Sequence, residues 1–216
     1  MIIRGIIRFD TKQVMAAKRG ALTQYRAPAH VYDADAQKGR RLTIWGRAQI
    51  GDLFRVVEPA VYYTAFNCRS DNVFPADFPR GMAHAPQWIA GRRHLKRHGT
   101  SGEKRALLVV DKRLERLNSI TAADAEASGA EMHVRAGRPY YRMGDDNRCE
   151  GITPQEAFLA WWKRLYGEIS LKANPEVAVI EFRLIEECAA DYLGKANDGD
   201  LGALTAADEA IGERAA

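Results

Sequence analysis

No stretch of this chain approaches the roughly 20 consecutive apolar residues that cross a bilayer, so no membrane association is expected. Cysteine is scarce. Cys68, Cys149 and Cys188 are odd in number, far apart and free of any Cys-x-x-Cys spacing. That argues against a disulfide scaffold and a zinc site, and it fits a reducing cytoplasm. The opening "MIIRGIIRFD" is too short and too charged for a signal peptide and reads as a first strand. No P-loop, Gly-x-Gly-x-x-Gly run or Ser/His/Asp order is present. The NTPase, Rossmann and triad-hydrolase readings therefore have no footing, and no cofactor is expected.

What is present is an ordinary globular composition. Of 216 residues, 46% are hydrophobic and 28% charged, enough for one large domain. The net charge of +4 is unevenly spread. Arg80, Arg92, Arg93, Lys96, Arg97, Lys104 and Arg105 face only Glu103 between positions 80 and 105, whereas eight acids follow from Glu186 onward against Lys195 and Arg214. A basic middle and an acidic tail suit a polyanionic partner, and equally a solvated loop and a solubilising tail.

Local signals outline the elements. "IIRGIIRF" suits a strand kinked at Gly5. "DTKQVMAAKRG" reads as a helix capped by Asp10 or Thr11 and ended by Gly20. "RLTIW", "DLFRVVEP" and "VYYTAF" are short β-rich runs. Asp52 is expected to cap a turn. From about 67 to 105, prolines, glycines and basic residues mark a long insertion with a helical turn near Trp88. "ALLVVDKRLERL" is a strong strand, and "SITAADAEASGA" a helix with Thr121 and Asp124 at capping-box spacing. "MHVRAGRPYYRM" gives two strands around Gly137. "ITPQEAFLAWWKRLYGEI" opens with Thr153, Pro154 and Glu156 and shows an apolar face of Phe158, Trp161, Trp162 and Leu165. Its large aromatics, Tyr166 among them, read as core. "NPEVAVIEFRLIEE" closes the domain as a strand. Residues 186–216 read as an acidic tail with a short helix in "DLGALTAADEAIGERAA". Strands outnumber helices without βαβα alternation. The fold class is therefore α+β, a small mixed barrel with flanking helices.

Four stretches, in order, resemble ASCH-domain proteins of the PUA-like superfamily, in the version common in phage and prophage genomes. They are "GALTQYR", "IGDLFRVVEPA", "LLVVDKRLERLNSITAADAEASG" and "FLAWWKRLYGE" with "NPEVAVIEFRLIE". The resemblance spans about three quarters of the chain and implies a PUA-like β-barrel over residues 1–185. It also implies a cleft beside the first helix and the "GALTQYR" loop that binds RNA or nucleotides. One branch of the family hydrolyses an acylated cytidine with a Lys, a Thr and a Glu. Those three positions fall here on Leu22, Tyr25 and Leu108, and Leu supplies neither amine nor carboxylate. Binding without amidohydrolase chemistry is therefore expected.

The ligand-binding candidates are Thr23, Gln24, Tyr25, Arg26 and Glu58. Together they offer a hydroxyl, an amide, a stacking ring, a phosphate fork and an acceptor for an exocyclic amine. Trp88, Arg92, Arg93, Lys96 and Arg97 are the nucleic-acid candidates, through stacking and phosphate neutralisation. His94 and His98 have helical i, i+4 spacing without a nearby acid or Cys, and no metal site is expected. An alternative reading is a hydrolase acting on a modified nucleoside or RNA through Lys18, Thr23, Tyr25 and Glu58. A third is a phage-encoded partner of a host protein, using the long insertion.

Overall fold

The computed structural model describes residues 1–31, 41–65, 68–69, 72, 74–77, 96–144 and 148–197. Trp88, Arg92, Arg93, His94 and the segment "DLGALTAADEAIGERAA" lie outside them. For Lys96, Arg97 and His98 only the backbone is described.

Strand β1 (Ile3–Arg8) runs parallel to β3 (Leu53–Ala65), with its register broken between Ile3 and Gly5. Between them come helix α1 (Thr11–Lys18) and strand β2 (Gln24–Pro28). Asp10 caps α1, accepting from the Gln13 N–H at 2.8 Å, while the Gln13 side chain accepts from the Asp10 N–H. Asp52 closes a turn as expected, accepting from the Gln49 N–H at 2.8 Å and from Arg4.

The longest strand, β5 (Lys96–Arg116), pairs antiparallel with β3 along one side. Along the other it pairs with β9 (Glu176–Ile185), which in turn pairs with β2. The order is β1-β3-β5-β9-β2, with a short β4 (Cys68–Arg69) folded back on β3. A second sheet holds β6 (Ala130–Arg135), β7 (Arg138–Met143) and β8 (Glu150–Gly151). Helices α2 (Ala122–Ala127), α3 (Pro154–Ala173) and α4 (Ala189–Asn197) complete a mixed α+β architecture.

Several expectations are corrected. Among the described residues the larger sheet is an open path and not a closed barrel, because no pairing joins β1 to β2. Helix α1 links these two edges across the face, touching β3 and β9. "GALTQYR" is a loop only up to Thr23; Gln24 onward is β2, in register with Glu181 to Val177 of β9. "DLFRVVEP" and "VYYTA" form one continuous strand through Pro59. β1 ends opposite Val57, so beyond it Pro59's missing N–H costs no ladder bond on that side. "RLTIW" is a turn at Ile44–Arg47, and its one β-bridge among the described residues is His30–Leu42. Thr43 makes it so: its hydroxyl donates to the Pro28 carbonyl at 2.7 Å and accepts from the Gly46 N–H at 3.0 Å. Lys96 to Arg105, assigned to the insertion, are the first half of β5. Leu165 is exposed and does not belong to the apolar face of α3.

Alternation along β9 divides the interior. Ala178, Ile180 and Phe182 enter one cluster with Phe9, Val14, Phe54 and Leu107 beneath α1. Val177 and Val179 enter the other, with Leu117, Phe158 and the fully buried Trp162 beneath α3. A central strand covered on both faces reads as a nearly unbroken apolar run, as "VAVIEF" does. Tyr192 of α4 packs on Leu53 and Ile185 in a third, smaller cluster.

Candidate ligand-binding cleft

The residues singled out from sequence fall into separate environments. On one face of β2, Gln24 and Arg26 are buried, Arg26 at 1% exposure. Arg26 pairs with Glu115 and lies 3.3 Å from Asp124. The Gln24 amide donates to Asp124 at 3.1 Å and to Glu181 at 3.2 Å. Arg113 closes the cage, reaching Asp124 at 2.6 Å, Glu181 at 2.7 Å and Glu115 at 3.2 Å. Burial alone would raise the Asp124 carboxyl. Hydrogen bonds from Thr121 and Gln24 and the charge of Arg26 instead hold it down at about 2. Except for the unpartnered Arg26 Nε, the fork read as a phosphate grip is committed to carboxylates of this same chain.

Glu58 lies in a second ion cluster. It is 1% exposed, and Arg105, fully buried, donates to its Oε1 at 2.5 Å. Arg105 also pairs with Asp77 and with Glu186 at 2.8 Å. Lys18 reaches Glu186 at 3.3 Å and Asp77 at 3.6 Å from α1, and Lys104 joins at Asp77. Burial pushes the Glu58 carboxyl above its ordinary range despite the Arg105 bond, and its Oε2 has no partner. Lys18 and Glu58 thus share one cluster.

Thr23 and Tyr25 stand elsewhere. Thr23 is half-buried, with its backbone bonded to Ala127 and Phe182. The Tyr25 ring points to the other face of β2, 4.6 Å from the Trp45 ring. Burial, and secondarily the Tyr166 phenol, push the Tyr25 hydroxyl well above the ordinary tyrosine range. Leu22 is buried in the core and Leu108 is partly buried against the third cluster.

At the Pro28 end of β2, beside Trp45, lies a cleft of about 910 Å³. Pro28, His30 and Val31 form one wall, Thr43, Ile44 and Trp45 another, and Tyr166 to Ser170 with Pro175 and Glu176 the third. The Trp45 ring is braced by stacking on Phe54, 4.5 Å between centroids and 16° between planes. Tyr166 is braced by Trp162 at 4.4 Å. Polar groups are few: His30 Nε2 lies 2.8 Å from Glu176, His30 Nδ1 is buried without a partner, and Arg116 is at the rim. An apolar, aromatic-walled hollow with a few convergent polar groups is the usual form of a small-molecule site.

Two glycines shape it. Gly167 has φ +84° and kinks α3, so the turn after it leans over the cleft instead of continuing the helix axis. Gly46 lies so close to the Ala29 carbonyl that a Cβ there would stand 2.2 Å from the oxygen. Gly46→Ala is expected to lower the unfolding free energy by about 1–3 kcal/mol and to shift Trp45. Urea denaturation and the tryptophan emission maximum check this. An unchanged midpoint and spectrum would refute the close packing.

None of Trp45, His30, Arg116 or Glu176 was indicated by the sequence as a site residue, and Tyr166 was read as core. Among the described residues, no three metal-ligating side chains converge and no helix is long and apolar enough to cross a membrane. No family model, curated protein or solved structure matches the chain.

Proposed function

We propose that this protein binds a nucleotide or a nucleic acid, RNA or another single strand, with a base held in the Trp45–Tyr166 cleft. The observation that carries the reading is the cleft: two braced aromatic rings, apolar walls, and a carboxylate held by an imidazole. Bases stack on aromatic side chains, and each such contact is worth about 1–3 kcal/mol. The partly exposed Glu176 carboxylate offers a hydrogen-bond acceptor for a base edge, and Arg116 a cation for a phosphate. The ordered resemblance to ASCH-domain proteins supports the same ligand class and a PUA-like ancestry for the sheet. The basic segment containing Trp88, Arg92, Arg93, Lys96 and Arg97 supports a longer, phosphate-bearing ligand. The site moves, however, from the Thr23–Arg26 segment to the Pro28 end of β2, where Trp45 and Tyr166 line the cleft.

Titration of the full chain with nucleoside monophosphates and short single-stranded RNA and DNA, at about 50 mM salt and read by tryptophan fluorescence, tests this. Saturable binding is expected. Ile169→Asp, which places a charge on an exposed cleft wall, is expected to weaken it about tenfold or more. Arg116→Gln is expected to lower the salt dependence by about one phosphate contact. No saturable binding, or binding indifferent to both variants, overturns the assignment.

A further inference from the structure

β6 is the outer strand of the smaller sheet, and its free side is complementary to itself. Ala136 and Gly137, with φ of 50° and 76°, form the two-residue turn that joins it to β7. Such a turn makes Arg135 and Arg138 a hydrogen-bonded pair, and alternation extends this to His133 with Tyr140 and Glu131 with Arg142. The backbone N–H and C=O groups of Met132 and Val134 therefore point away from β7. Among the described residues no strand takes them up. The two side chains are 63% and 66% exposed.

We propose that this edge pairs with the same edge of a second copy, antiparallel and two-fold symmetric about His133. Met132 then exchanges backbone hydrogen bonds with the second copy's Val134, and Val134 with its Met132, about four bonds in all. The exposed methionine and valine side chains cover one another on one face. On the other face Glu131 meets the second copy's Arg135, twice by symmetry.

Charge complementarity fixes the register. Centring the axis on Met132 sets Glu131 against His133, and centring it on Val134 sets Arg135 against His133; neither makes a carboxylate–guanidinium pair. Arg135 is already held on the correct face, donating to Glu150 at 3.0 and 3.2 Å and lying 4.7 Å over the Tyr140 ring. An unpaired apolar edge invites uncontrolled association. A short, self-complementary edge closes into an isologous dimer instead.

Sedimentation equilibrium of the full chain, from micromolar to millimolar concentration, tests this. A reversible dimer is expected. Glu131→Arg turns two attractive contacts repulsive and is expected to weaken dimerisation about tenfold or more. Adding Arg135→Glu reverses both charges and is expected to restore it. Val134→Pro removes an N–H that the monomer does not use, so it should give a folded monomer by circular dichroism. A chain that stays monomeric throughout, or a dimer indifferent to Glu131→Arg, overturns the proposal. So does a monomer whose Met132 and Val134 amides are protected from hydrogen exchange, which would put another segment on the edge.

Discussion

Arg26→Met is expected to lower the unfolding free energy by about 3 kcal/mol, measured by urea denaturation near neutral pH. The wild-type guanidinium has no solvent exposure and faces Glu115 and Asp124, while Arg113 is shared among three carboxylates. Deleting Arg26 leaves more negative charge at partly buried positions than Arg113 can balance. Loss of one member of a buried pair costs about 3–5 kcal/mol, and partial exposure of the acids puts this case at the lower end. A further Glu115→Leu change is expected to recover part of the loss, because it removes the stranded charge. The pH dependence has a definite sign. Asp124 ionises at about 2 in the folded protein against an ordinary 3.8, so its contribution is complete above 3.8 and disappears as pH falls toward 2. In Arg26→Met this acid sensitivity is expected to shrink. A surface arginine kept for phosphate would behave otherwise, with a stability change within about 0.5 kcal/mol. That result would refute the internal cage.

The contrast between cage and phosphate grip shows what the sequence could convey. Two capping boxes, opened by Thr121 and Thr153, were legible because each is complete within four residues, and for α1 the cap was narrowed to Asp10 or Thr11. The β6–β7 hairpin and the strands β5 and β9 were legible from turn chemistry and β-branched runs. The barrel was not confirmed, since closure depends on where the two edges lie and no local pattern encodes that. Strand β2 was missed because what makes it a strand is β9, with Gln24 and Glu181 separated by 157 positions. Arg26 looked available for the same reason: its acid, Glu115, is 89 residues away. A guanidinium announces its charge in sequence but not its partner. The cleft was illegible too. Trp45 sits in a run that reads as a strand until Thr43 and Gly46 fold it into a turn, and Tyr166 reads as core until the kink at Gly167 exposes its surroundings.

Arg105→Ala is expected to have a still larger effect, about 4 kcal/mol near neutral pH. Arg105 is the hub joining Glu58 on β3, Asp77 in the short turn at Pro75–Asp77, and Glu186 just past β9. Lys18 and Lys104 pair with Asp77 and Glu186, so without Arg105 only the more distant charge of Lys104 acts to balance Glu58. Both Glu58 oxygens would then be buried without a hydrogen-bond donor among the described partners. An uncompensated buried carboxylate avoids the cost by taking up a proton. In the wild type, burial already raises the Glu58 carboxyl above its ordinary 4.5, and loss of Arg105 raises it further. A raised carboxyl makes the folded state the tighter proton binder. Its stabilising protonation is therefore complete below 4.5 and is lost as pH rises through the folded value. The penalty of Arg105→Ala is accordingly smaller at about pH 5 than at about pH 7. Glu58→Gln in the same background is expected to remove that pH difference and part of the loss, because the amide carries no charge to strand. A penalty equal at both pH values and unrelieved by Glu58→Gln would place its origin in Asp77 and Glu186 and refute Glu58 as the group that Arg105 keeps ionised.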